Sequence, residues 1–184
     1  METLKKVLLH PDLRRRVLYT LLLLLVVRIL AHIPLPGVDV GALRRFFAEN
    51  QFLGLINLFS GGTMENFSIV LMGVGPYITA SIIMQLMTYV VPSLEALSKE
   101  GEYGYRKINY YTRILTVPLA MIQSLGMISF LRRGFQGIPI NISGTELLVA
   151  VIVVTAGTML LMWLGELISE NGIGNGVSLI ITLG

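Results

Sequence analysis

The apolar positions of this 184-residue chain fall in long runs, separated by short polar segments. The most unusual run covers residues 52–91 and is broken in two at Gly61-Gly62. Its first part, Phe52 to Ser60, has nine residues, which as a helix reach less than halfway across a bilayer core of about 30 Å. Its second part, Ile69 to Val91, has 23 residues without a charge, enough to span. Non-helical backbone at membrane depth must lie within protein or beside water, so the break predicts a pore or a substrate site.

The other runs predict further membrane helices, and the last run stops before it could cross a bilayer. The fold class is therefore all-α, a polytopic transmembrane helical bundle with a broken second helix. The predicted segments are an amphipathic segment at 1–16, span 1 at 17–33, a half-helix at 52–65, span 2 at 69–91, a polar loop at 92–113, span 3 at 114–131, span 4 at 147–168 and the truncated start of span 5 at 173–184.

Composition supports a membrane protein, because 54% of residues are hydrophobic, 14% are charged and the mean hydropathy is +0.74. The net charge of +3 follows from basic residues that flank the apolar runs. If the N-terminus is inside, nine basic residues lie in inner segments and four in outer loops. Because cytoplasmic segments carry the excess of lysine and arginine, this distribution predicts a cytoplasmic N-terminus. Arg28 lies inside span 1 near its outer end, where an ion pair, snorkelling or a functional role are all open.

The residue types exclude most site chemistry. The chain has no cysteine and two histidines, so disulfides, thiol catalysis and zinc or haem ligation are not expected. Nucleotide-binding and hydrolase motifs are missing as well, and we expect neither an enzyme nor a cofactor. The remaining signal is a polar stripe in span 2, Ser81, Gln85 and Thr88, at i, i+4 and i+7. This face meets either a passing chain and water or, as the alternative, neighbouring helices through ordinary hydrogen bonds.

Six motifs in order carry a resemblance to a known family. They are NLFSGG at 57–62, GPYITASII at 75–83, KEGE at 99–102, YTR at 111–113, LMWLGE at 161–166 and GIGNG at 172–176. With the broken helix, this set resembles the bacterial SecY family of protein-conducting channels. That family has ten spans in two pseudo-symmetric halves, and the chain is similar to the first, N-terminal half.

The resemblance implies roles that spacing alone does not. The half-helix at 52–65 corresponds to a plug that fills the outer funnel of the resting channel, and span 2 with span 3 to one side of a lateral gate. The family favours isoleucine in its pore ring, so the two valines listed next depart from it mildly. The implied pore-ring residues are Val74, Ile78, Val177 and Ile181, the plug residues Leu55, Asn57, Phe59, Ser60, Gly61 and Gly62, and the gate residues Thr79, Ser81 and Gln85.

The implied function is passage of unfolded polypeptides across the bacterial plasma membrane and lateral release of signal or transmembrane helices into lipid. The implied partners are membrane lipid, the SecE and SecG subunits, the SecA motor or a ribosome, signal-sequence-bearing polypeptides and the C-terminal channel half. Two other hypotheses are a broken-helix transporter of small solutes, which needs a charged or multi-polar site at the midplane, and an assembly fragment without transport. We expect the chain to be inactive alone, with Val177 and Ile181 poorly held in a short stub.

Overall fold

The computed structural model describes residues 11–35, 41, 67–134 and 144–183. Within these ranges the only extended pairing is an isolated antiparallel bridge between Pro34 and Ser68, and the predicted all-α class is confirmed. The plug segment and its six named residues lie outside the described residues, as do residues 1–10 of the amphipathic segment. The described helices are α1 (Pro11–Ala31), α2 (Gly75–Val90), α3 (Pro92–Ser98), α4 (Glu102–Gly134), α5 (Gly144–Asn171) and α6 (Gly176–Leu183).

Two of the described helices are long and apolar enough to cross a bilayer, namely α4 over Glu102–Ser129 and the whole of α5. A bend of 104° between α2 and α3 makes this pair a candidate for a third span or a re-entrant loop. Helix α1 fails the same composition test because every 18-residue stretch of it contains at least four charged residues. The predicted bounds of the individual spans therefore stay predictions.

Helix α2 begins at Gly75, six residues after the predicted start of span 2 at residue 69. Residues 69–74 form turns instead. Gly73 has a φ of +56°, a left-handed conformation that a continuing helix cannot contain. Pro76 then suits the first helical turn, where its missing N–H is not needed.

The predicted polar loop at 92–113 is largely helical. Helix α3 covers Pro92–Ser98, and α4 begins at Glu102, well before the predicted start of span 3 at residue 114. Ion pairs at i, i+4 spacing support both helices: Lys99 contacts Glu95 at 2.6 Å, and Arg106 contacts Glu102 at 2.7 Å. A helix can therefore continue from the membrane into water without a change in its backbone.

The described residues divide into two compact units. Unit one comprises residues 1–71 with 160–184, and so holds α1, all of α6 and the end of α5. Unit two comprises residues 72–159, and so holds α2, α3, α4 and the first part of α5. In unit two, α2 lies along α4, and both helices contact α3.

In unit one, the end of α1 is tied to the segment that precedes α2. The Leu35 N–H donates to the Phe67 carbonyl at 2.9 Å, and the Ile69 N–H donates to the Ile33 carbonyl at 3.0 Å. Phe67 is fully buried and has a φ of 44°, which is unusual for a bulky residue. Burial and these hydrogen bonds hold the strained conformation in place.

Unit one also fixes the short helix α6, contrary to our expectation of a poorly held stub. The Ser169 hydroxyl accepts from the Gly176 N–H at 2.8 Å, and Thr20 Oγ1 accepts from the Ile173 N–H at 3.1 Å. A Cβ on Gly176 would overlap the carbonyl oxygen of Gly165. Glycine at 176 is therefore what lets α6 approach α5 so closely.

Candidate functional site

The predicted polar stripe of α2 is present on one face of the helix. Gln85 Nε2 donates to Ser81 Oγ at 3.5 Å, and Thr88 Oγ1 donates to the Gln85 carbonyl at 2.6 Å. Ser81 and Thr88 are half-buried, while Gln85 is exposed. These bonds stay within α2 and leave the Gln85 side-chain oxygen able to accept from a further group.

The stripe opens into a cavity of about 480 Å³ within unit two. Helix α3 contributes charged and hydroxyl groups at one edge, and α4 contributes the opposite wall. The lining residues that come from α3 and α4, together with Lys99 after α3, are Glu95, Ser98, Lys99, Tyr105, Ile108, Asn109 and Thr112.

The wall from α4 repeats the pattern of α2. Tyr105, Asn109 and Thr112 stand at i, i+4 and i+7, the same spacing as in the stripe of α2. Sequence reasoning missed these three residues because it treated 92–113 as a loop and did not test it for helical spacing. Thr112 is buried, and its hydroxyl donates to the Ile108 carbonyl at 3.0 Å. Two polar stripes with matching spacing thus face one cavity.

The electrostatics of the cavity are those of neutral hydrogen-bonding groups with one ion pair at the edge. The hydrogen bond and the charge of Lys99 hold the pKa of Glu95 below its usual value. A lowered pKa stabilises the fold above the unfolded-state pKa, and this stabilisation is lost as the pH falls through the folded-state pKa. Because both side chains are exposed, the contribution is small. The described residues contain no group of three or more potential metal ligands.

The three predicted gate residues do not share one environment. Ser81 and Gln85 line the cavity, whereas Thr79 is not part of its lining. The Thr79 hydroxyl donates to the Gly75 carbonyl of its own helix at 3.1 Å. Thr88, which was noticed as part of the stripe but not assigned to the gate, lies in the cavity with Ser81 and Gln85.

The four predicted pore residues form two pairs, one in each unit. Val74 is buried just before α2, and Ile78 lies one turn later and is half-buried, with its N–H donating to the Val74 carbonyl at 3.1 Å. Val177 is half-buried near the start of α6, and Ile181 is 53% exposed one turn later. In each pair the two branched aliphatic residues stand four positions apart, although Val74 itself precedes the first residue of α2.

The family model and two similar relatives point to the same family. The SecY family model matches residues 68–184. A relative from Streptomyces scabiei, named protein translocase subunit SecY, is 46% identical over 183 residues, covering 93% of this chain and 42% of the relative. A relative of the same name from Pseudomonas aeruginosa is 48% identical over 175 residues, covering 94% of this chain and 39% of the relative. The chain thus spans about 40% of the length of these relatives.

Solved structures agree on the fold. A structure described as "The structure of a protein conducting channel" matches with a TM-score of 0.61 and 19% identity, covering 93% of this chain and 36% of that one. Sec61 in the canine ribosome-channel complex from the endoplasmic reticulum matches with the same score, identity and coverage. The SecY relatives and the apolar helices support a membrane-embedded, multi-pass protein. Because the family model covers most of the chain and the bacterial relatives match nearly all of it, this chain belongs to the SecY family.

Proposed function

We propose that this chain is the N-terminal half of a channel that passes unfolded polypeptides across the membrane and releases hydrophobic helices sideways into lipid. The observation that carries the proposal is the cavity between the stripes of α2 and α4, in a chain of the SecY family. Its polar groups are uncharged hydroxyls and amides apart from one edge ion pair, so they can contact any polypeptide segment without selecting a sequence. The relatives that match are named protein translocase subunits.

The seal of the proposed channel is a ring of branched aliphatic side chains. We assign four of its members to Val74, Ile78, Val177 and Ile181. A narrow apolar ring resists entry of water and ions, and it can yield around an extended polypeptide without offering it specific hydrogen bonds. Valine in place of isoleucine at two positions makes the ring slightly wider.

The plug and the lateral gate complete the proposed mechanism. Residues 52–65 close the outer funnel at rest and move away about the glycine pair at 61–62. A signal sequence is a hydrophobic helix, so it enters at the side of α2, where Ser81 and Gln85 line the cavity. Thr79, outside the cavity lining, is assigned to the gate from the family resemblance alone. A bound signal helix thereby favours the open state over the closed state.

The proposed setting is the bacterial plasma membrane, with the N-terminus in the cytoplasm and SecE and SecG as companion subunits. Energy comes from the SecA motor or a ribosome on the cytoplasmic side. The support for a ribosome is indirect: one structural neighbour is described as part of a ribosome-channel complex. Because the matched relatives are more than twice as long, the other pore-ring members come from a C-terminal half.

Site-directed photocrosslinking tests the gate assignment in the assembled channel. A benzophenone amino acid at Gln85 should crosslink to the signal sequence of a substrate that is arrested during translocation. The matched control is Leu86, which is 60% exposed on the same helix but does not line the cavity. Equal crosslinking at both positions, or crosslinking at Gln85 with a substrate that lacks its hydrophobic signal, would contradict the gate assignment.

A further inference from the structure

Unit one contains a second cavity, of about 490 Å³, where α1 begins and α5 ends. This volume falls in the range of small-ligand sites, which is roughly 300–1,000 Å³. Among the described residues, none that lines it belongs to the proposed pore ring or gate. The lining is formed by Asp12, Arg15, Arg16, Tyr19, Glu170 and Asn171.

The lining carries two positive and two negative side chains that form no ion pair with one another. Asp12 precedes Arg15 by three residues and Arg16 by four, the spacings at which helical ion pairs form. Even so, none of these three, nor Glu170, makes an ion pair or hydrogen bond through its side chain with another described residue. A ligand that itself carries both charges can therefore satisfy all four groups.

The cavity also lies at the head of an apolar stripe on α1. Counting from Arg15 in steps of three and four gives Leu18, Leu22, Leu25 and Ile29, so the five residues share one helix face. These four apolar side chains are between 55% and 67% exposed. In a membrane-embedded protein, a charged site that continues into an exposed apolar stripe matches a phospholipid, with its headgroup at one end and acyl chains beside it.

We propose that this cavity binds the headgroup of a phospholipid with a primary ammonium, such as phosphatidylethanolamine. The phosphate binds Arg15 and Arg16, and the ammonium donates hydrogen bonds to Asp12 and Glu170. An acyl chain lies along the apolar stripe that begins at Leu18. A purely anionic headgroup leaves both carboxylates unpaired and repelled. A choline headgroup has no N–H to donate to them. The proposal depends on membrane insertion and not on the channel function.

Native mass spectrometry of the complete protein tests the proposal, after release from nanodiscs with equal parts phosphatidylethanolamine, phosphatidylcholine and phosphatidylglycerol. We expect phosphatidylethanolamine to be retained preferentially. The pair Asp12→Asn and Glu170→Gln should lower its preference over phosphatidylcholine by about two- to fivefold, the ratio expected for an exposed ion pair. The pair Arg15→Gln and Arg16→Gln should lower retention of all three lipids.

The matched control is Arg14→Gln, which removes a neighbouring exposed arginine outside the lining and should change nothing. The pair Arg15→Lys and Arg16→Lys keeps the charge and should keep retention, which separates lost binding from lost folding. If phosphatidylglycerol is retained to the same extent as phosphatidylethanolamine, but phosphatidylcholine is not, the cavity is a simple anion site and the proposal is overturned. Equal retention of all three lipids, an equal loss with Arg14→Gln, or a protein segment bound there in place of lipid would also overturn it.

Discussion

Ile78 is the pore-ring candidate whose role is easiest to separate from folding, because it is half-buried and one turn into α2. In a reconstituted channel that contains this chain, Ile78→Ser or Ile78→Gly should raise the ion leak of the resting state by wetting or widening the constriction. Ile78→Leu conserves volume and should leave the leak near the parent level. Conductance across planar bilayers measures the effect. Parent-like conductance in all three variants would remove Ile78 from the ring.

Single residues also show where sequence patterns succeed. The spacing of Ser81, Gln85 and Thr88 predicted a shared polar face, and the structure places all three on one cavity. Thr79 was assigned to the gate from the family resemblance alone, and its hydroxyl bonds to its own helix instead of lining that cavity. Periodicity reports which residues share a helix face. It does not report which face a neighbouring helix covers.

At the scale of elements, Thr20 joins α1 to the turn between α5 and α6. Its hydroxyl donates to the Arg16 carbonyl at 2.9 Å and accepts from the Ile173 N–H at 3.1 Å. Thr20→Val removes both bonds, and because Ile173 is 39% exposed its amide then pairs with water, so the loss is about 0.5–1.5 kcal/mol. Hydrogen exchange at Ile173 should therefore become about twofold to tenfold faster.

The matched control is Thr20→Ser, which keeps the hydroxyl and should keep the protection of Ile173. Exchange in α4, which lies in the other unit, serves as a reference that neither variant should alter. If valine and serine at position 20 give the same exchange rate, the hydroxyl does not anchor α6.

Element boundaries depended on local backbone features that hydropathy does not measure. The apolar run from residue 69 predicted a helix there, but Gly73 adopts a positive φ and delays α2 to Gly75. Conversely, the polar composition of 92–113 suggested a loop, although α4 starts inside it at Glu102. Polar residues are compatible with a helix that leaves the membrane. Low hydropathy in 92–113 therefore indicates contact with water and does not indicate a loop conformation. The stripe of Tyr105, Asn109 and Thr112 was missed for that reason.

At the scale of the whole molecule, motifs spread along the chain identify the family. They do not show which surfaces of the chain contact other helices and which contact lipid. Of the described helices, α4 and α5 are long and apolar enough to cross a membrane, and a helix satisfies its own backbone hydrogen bonds in lipid. The exposed Gln85 of α2 and the exposed apolar side chains of α1 leave surfaces that lipid or other helices must cover. Sequence periodicity cannot distinguish between those two covers, because both accept apolar side chains.

Residues 1–184 alone should therefore insert into membranes but fail to translocate. The chain provides four implied members of a six-member pore ring and spans about 40% of its relatives, so the constriction has no opposite wall. The assay is protease protection of a signal-bearing substrate in vesicles that contain this chain and an external motor. Protection should stay at the level of empty vesicles, and it should rise when a C-terminal channel half is supplied by fusion or in trans. Vesicles with the C-terminal half alone are the matched control. Efficient protection by residues 1–184 without another half would require a pore built from several copies of this chain.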